Sequence, residues 1–319
     1  MKKIIALILS ICLLLTLFSS CTQKDERSSK SGLKIVTSIF PEYDWVMNIL
    51  GERADETELT LLLDSGVDLH SYQPTATDIM KISSADIFIY IGGESDKWVK
   101  DAVSAAKNEN LNEIALMELI ADSLKDEEIS EGMQADDEED ETYDEHVWLS
   151  LKNTAKTISL IANAIENADP EHAAEYEENA NAYIEKINQL DKEYEAAVEN
   201  ANKDTLLFAD RFPFRYLTED YKLKYYAAFP GCSAETEASF ETVKFLAQKT
   251  DELSLNYLIT IEGSNSKIAD TIIQNTKDKD QKTLIMDSMQ SVTREGIDEG
   301  KTYLSIMEKN LDVLKEALS

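Results

Sequence analysis

The chain has 319 residues, 62 of them acidic against 31 basic, with three histidines and three cysteines, and its formal charge at pH 7 is −31. That balance excludes a nucleic-acid partner, because neutralising phosphates requires clustered lysine and arginine. There is room for two domains of ordinary size or one large one, and with so few cysteines the chain must rest on apolar cores rather than on disulfides.

Residues 1–20, MKKIIALILSICLLLTLFSS, join a dilysine start to an unbroken apolar stretch and end in small residues before Cys21, the layout of a signal peptide. The ending TLFSSC resembles a bacterial lipobox, with Phe18 where leucine is more usual. Cys21 is therefore expected to carry lipid and to tether the chain to the extracytoplasmic face of a cell membrane without spanning it. Residues 22–32, TQKDERSSKSG, have no apolar period and read as a flexible tether.

Ordered structure is expected from residue 33. LKIVTSIF (33–40), ELTLLLD (58–64) and ADIFIYIGG (85–93) are short β-branched or aromatic runs followed by turn formers, and so read as buried strands. PEYDWVMNILGE and TATDIMKISS between them have helical spacing, and strand alternating with helix implies a covered parallel sheet, an N-terminal α/β lobe over residues 33–150. Residues 126–145, DEEISEGMQADDEEDETYDE, cannot bury enough apolar area to order themselves and are expected to form a mobile, solvated acidic loop.

A helical linker follows over residues 151–203. Tyr183, Ile184, Ile187, Leu190, Tyr194 and Val198 recur every three to four positions and mark one buried stripe. Pro170 suits the first turn of the second of two helices there. TLLFAD (205–210), KYYAAF (224–229), NYLITIEG (256–263) and KTLIMD (282–287) are the strands of a C-terminal α/β lobe over residues 204–319. The predicted fold is α/β, two parallel-sheet lobes joined by a long rigid helix. Asp210, Glu262 and Asp287 end three of the last four strands, and in open parallel sheets ligands bind beyond the carboxyl ends of strands.

His70, in TLLLDSGVDLHSYQPT, and His146, in HVWLSL, lie in the first half of the chain. Neutral imidazole ligates zinc, and carboxylate oxygens complete mixed sites for zinc or manganese. From spacing alone, a loop histidine beside Ser71 and Tyr72 is more often a hydrogen-bonding surface residue than a ligand. His172, in DPEHAAEY, suggests no partner and reads as solvated helix surface, and Cys232 reads better as a small packed residue than as a soft ligand.

IVTSIFPEYDWVMNILGE, VDLHSYQPTATDIMKISSADIFIYIGG, DEHVWLSLKNT and TYLSIMEKNLDVLKEAL, in that order, closely resemble the zinc and manganese solute-binding lipoproteins of ABC importers. The resemblance implies that His70 and His146 are metal ligands. The family's third ligand, five residues before Tyr216, falls on Arg211, which cannot ligate a cation. Asp210 is the expected substitute; alternatively, Arg211 pairs with an acid and the metal keeps water. Asp287 is the expected fourth ligand, although alignment on SVT puts Gln290 there, while Glu237 and Glu262 are expected to be structural and Tyr72 to shape the pocket.

The resemblance thus implies a monomeric, non-enzymatic protein that captures one divalent ion, zinc before manganese, and delivers it to a membrane permease. A surface adhesin is the alternative suggested by the lipid anchor and the acidic surface. A zinc hydrolase fits less well, because no HExxH, GxSxG or Gly-rich phosphate loop is present.

Overall fold

The computed structural model of the protein describes residues 32–104, 106, 108–135, 143–233 and 237–319. The chain divides into two units, Met1–Gly32 and Leu33–Ser319. The expected signal peptide, the expected lipidation site Cys21 and most of the expected tether lie outside the described residues. Everything below concerns the second unit.

Its first sheet has four parallel strands, β1 (Lys34–Thr37), β2 (Glu58–Leu61), β3 (Ile87–Tyr90) and β4 (Asn112–Ala115), in the order β2-β1-β3-β4. The central pair is buried on both faces, which requires the continuous apolar runs KIVT and IFIY rather than an alternating pattern. Strand β4 is not among the expected elements. It is an edge strand whose first two residues, Asn112 and Glu113, face solvent, so it has the composition of a helix start.

The second sheet, β5 (Thr205–Phe212), β6 (Lys224–Pro230), β7 (Tyr257–Ile261) and β8 (Lys282–Met286), is also parallel, in the order β6-β5-β7-β8. Strand β5 carries an irregularity. Phe208 pairs with Ala227 and Arg211 with Phe229, so three steps on β5 oppose two on β6. Such a bulge re-aims the side chains around it.

The chain crosses between the sheets through α5 (Leu151–Ala168) and α6 (Ala173–Glu199), which follow α1 (Phe40–Leu50), α2 (Ala76–Ser83), α3 (Val99–Ser104) and α4 (Leu116–Leu119). Helix α6 buries Tyr176, Ala180, Tyr183, Ile187, Leu190 and Tyr194 along one stripe, while Ile184 and Val198 are half-buried at its margin. The Tyr183 hydroxyl donates to Asp44 Oδ2 on α1 at 2.7 Å, and the Tyr194 hydroxyl to the carbonyl of Met307, on the last helix (Tyr303–Ala317), at 2.6 Å. The linker therefore grips an element from each end of the unit. A single apolar cluster runs from Ile35 to Leu318 and includes residues of both sheets.

Pro170 stands in the turn before α6 rather than in its first turn, and His172 takes the position ahead of Ala173. His172 also has a partner, contrary to expectation. Its Nδ1 lies 2.8 Å from Asp169 Oδ2, which the Tyr176 hydroxyl also reaches.

The acidic stretch is not the free loop expected over its described length. Asp126 bridges Tyr143, Gln134 N–H donates to the carbonyl of Ala228, Arg215 pairs with Glu128 and Ser239 N–H donates to Gln134 Oε1. Asp144 and Glu145 are buried. Residues 136–142 lie outside the described residues.

Many carboxyls of this acidic chain are inside. Burial pushes those of Asp44, Asp96 and Asp220 up to about 6, and raises Glu42, Glu262 and Asp287 as well. These groups hold protons more firmly folded than unfolded, so their stabilising contribution is complete below about pH 4 and is lost as pH rises through about 6. The metal-free protein is expected to melt at a higher temperature at pH 5 than at pH 7.5. A Tm that climbs steadily across that interval would contradict the assignment.

Candidate metal centre at the carboxyl ends of the strands

His70 lies in the single turn Leu69–Ser71 after β2, and His146 immediately precedes the turn Val147–Leu149 that leads into α5. Each is placed by the same local device. Asp68 Oδ1 accepts the backbone N–H of His70 at 3.0 Å, and Asp144 Oδ1 accepts that of His146 at 2.8 Å. An Asp two residues ahead of the His forms an Asx turn that fixes the backbone and so the direction of the imidazole.

The two rings meet edge to face, with centroids 5.3 Å apart and the two Nε2 atoms 3.3 Å apart. Behind each ring stands an acceptor. His70 Nδ1 is 2.8 Å from Ser95 Oγ and 3.0 Å from Glu145 Oε1, while His146 Nδ1 is 3.0 Å from Asp144 Oδ1. Ser95 donates its hydroxyl to Glu145, so toward His70 it can only accept. With an acceptor beside each Nδ1, a neutral ring carries its proton there and leaves Nε2 bare, and it is the two Nε2 atoms that approach each other.

Packing holds the pair rigidly. His146 is fully buried, 5.3 Å between ring centroids from Trp148, whose indole N–H donates to the carbonyl of Ser288 at 2.9 Å. The Tyr216 hydroxyl donates to the carbonyl of Asp144 at 2.8 Å. On the other side, a Cβ at Gly231 would come within 2.8 Å of His146 Cε1 and 2.9 Å of the Phe212 carbonyl, so only glycine lets the chain after β6 lie against this ring. Gly93 plays the same part for Glu145, whose Cβ a side chain there would meet at 2.6 Å.

Electrostatics sharpens the arrangement. Burial opposes charge on Glu145, but His70, His146 and Ser95 hold its carboxyl at about 2. Burial likewise opposes protonation of His146, yet Asp144, Glu145 and Glu127 lift it above the ordinary imidazole value. A cation is favoured at this point.

Asp210 and Asp287 do not join the pair. At the β5 bulge, Asp210 turns back into its own sheet, its Oδ1 taking the N–H of Arg211 at 2.9 Å and its Oδ2 that of Ile261 at 3.4 Å. Asp287 Oδ1 caps the N–H of Met289, and Asn310 holds both backbone groups of Asp287. Glu262 accepts from Ser288 N, Ser288 Oγ and Gln290 N, and the Gln290 amide donates to Ser288 Oγ. Glu237 is exposed, and Tyr72 hydrogen-bonds Asp78 while packing edge-on to Trp98.

Arg211 crosses from β5 to the His70 turn and pairs with Asp68 Oδ2 at 2.6 Å. In place of the expected carboxylates, the cysteine passed over in the sequence converges on the pair. Among the described residues, His70, His146 and Cys232 form a group whose donor atoms all lie within 4.8 Å of one another. Sequence reasoning also missed Ser95, Asp144 and Glu145. The repeated Asp-x-His of VDLH and YDEH was a legible signal for Asp144.

Residues 35–317 match the family model described as ZnuA, zinc-uptake complex component A, periplasmic. The chain belongs to this family. It is 29% identical over 317 residues to the zinc-binding lipoprotein AdcA of Streptococcus pneumoniae, a match covering 99% of this chain and 61% of that protein. It is also 29% identical over 308 residues to the high-affinity zinc uptake system protein ZnuA of Bacillus subtilis, covering 94% of this chain and 92% of that one. The crystal structure of the Zn(II)-bound ZnuA-like domain of Streptococcus pneumoniae AdcA aligns with a TM-score of 0.71 at 28% identity, over 90% of this chain and 98% of that one. The chain thus spans about three-fifths of the length of the AdcA relatives it matches.

The Arg211 to Asp68 pair joins the second sheet to the turn that carries His70, and both side chains are largely shielded from solvent. Arg211→Met leaves Asp68 without its countercharge and is expected to lower the unfolding free energy by about 1–3 kcal/mol in urea titrations. An unchanged midpoint would show that the pair is solvated in practice.

Proposed function

We propose that the protein captures one zinc ion between His70 and His146 and delivers it to an ABC permease, acting as the solute-binding component of a zinc uptake system. The observation that carries the reading is the 3.3 Å separation of two Nε2 atoms whose rings are both backed by acceptors. Two nitrogens bound to one tetrahedral zinc at about 2.0–2.1 Å lie about 3.3–3.4 Å apart. Without an electrophile between them, two lone pairs at that distance repel. Zinc is the ion bound in the aligned AdcA domain and the one in the names of both relatives.

Lipid attached to Cys21 would keep the capture site at the outer face of the membrane, next to the permease. No helix among the described residues is long and apolar enough to cross a membrane. The relatives matched are metal-binding transport proteins, and that agrees with capture rather than turnover as the purpose of the site.

Isothermal calorimetry on chelator-stripped full-length protein in mild detergent is expected to find one zinc per chain. His70→Ala and His146→Ala should each weaken binding by about 100-fold or more, since each removes one of few donors. Wild-type-like affinity in either variant would end the proposal.

Binding should also depend on pH. A protonated Nε2 cannot ligate, and because His146 is raised above its ordinary value of about 6.5, protons begin to compete at a higher pH than for a free imidazole. Affinity measured against a chromophoric chelator is expected to fall already between pH 7.5 and 6.5 and to go on falling to pH 5. A flat profile would exclude histidine ligation.

A further inference from the structure

We infer that Cys232 supplies the third donor to the captured ion, so that the site is a two-histidine, one-thiolate centre selecting thiophilic divalent cations such as zinc over manganese. This rests on the capture reading above and specifies its coordination chemistry.

Cys232 comes from the loop after β6, in the second sheet, whereas both histidines belong to the first half of the chain. Its Sγ, one ring nitrogen of His70 and one of His146 lie mutually within 4.8 Å. An ion held at zinc–sulfur and zinc–nitrogen lengths of about 2.3 and 2.0–2.1 Å would draw such a group together. The loop is already positioned for it. Gly231 lets the backbone lie directly on the His146 ring, and the N–H of Cys232 donates to Glu127 Oε1 at 3.2 Å. The thiol meanwhile points at Glu145 Oε1, at 3.7 Å, the same oxygen that stands behind His70.

The rest of the neighbourhood leaves this corner to sulfur. Asp210 is held by backbone groups of its own sheet, Asp287 caps Met289, and Arg211, a cation, is neutralised by Asp68. Glu145 is on the Nδ1 side of His70, behind the ring. On binding, the S–H bond breaks, its proton leaves to solvent and the sulfur pair forms the metal bond. Three protein donors leave one position for water. Nitrogen and sulfur donors suit zinc and cobalt, while manganese prefers a shell of oxygens, so the donor set itself discriminates.

Cobalt(II) titrated into the apo full-length protein reads the thiolate directly. The wild type is expected to develop the intense near-ultraviolet sulfur-to-cobalt charge-transfer band together with the visible bands of a four-coordinate ion. In Cys232→Ser the charge-transfer band should vanish, zinc affinity should fall by about tenfold or more, and manganese affinity should change little. Cobalt bound by the wild type without a thiolate band, or a Cys232→Ser protein that keeps its full preference for zinc over manganese, would overturn the inference while leaving capture by the histidines intact. Failure of the wild type to bind zinc or cobalt at all would instead remove the capture reading on which it rests.

Discussion

Everything at this site follows from forcing two imidazole Nε2 atoms to within 3.3 Å of each other while acceptors on the far side keep the proton of each ring at Nδ1. Left alone, such a pair would relax apart by a side-chain rotation. It cannot, because each histidine is clamped in its backbone by an Asx turn, and His146 is fully buried between Trp148 and the glycine backbone at Gly231.

That clamping is possible because the two sheets do not behave as independent bodies. One apolar cluster runs through both, and α6 is hydrogen-bonded to α1 through Tyr183 and to the last helix through Tyr194. A hinge opening of the kind that closes many binding proteins would have to expose that cluster.

The acidity of the chain plays two parts. Outside, an excess of 31 negative charges draws cations toward the surface. Inside, burial raises most enclosed carboxyls, yet Glu145, flanked by both imidazoles, is held at about 2 and stays ionised beside the site. The contrast has a physical cause: at Asp44 and Asp96, held by hydroxyl or backbone groups, desolvation dominates, whereas at Glu145 the hydrogen bonds and field of the imidazoles and Ser95 outweigh it. The same distinction explains why Asp68, paired with Arg211, is lowered in spite of its burial.

Local signals in the chain were enough for the α/β alternation, seven of the eight strands and the buried stripe of α6, which rest on side-chain periodicity, and residue chemistry singled out the two histidines that the fold places 3.3 Å apart. Strand β4 escaped because it is a solvent-exposed edge, where composition carries little β signal. Pairing across the fold was beyond such signals. A bulge in β5 turned Asp210 into its own sheet and Arg211 toward Asp68, and a one-residue irregularity of that kind leaves no periodic trace. Only the packing of the β6 loop against His146, permitted by the missing side chain of Gly231, brings Cys232 to the imidazoles from the other sheet. Which residues have the chemistry of ligands was thus a property of the sequence; which of them come together was decided by strand register and the close approach of two loops.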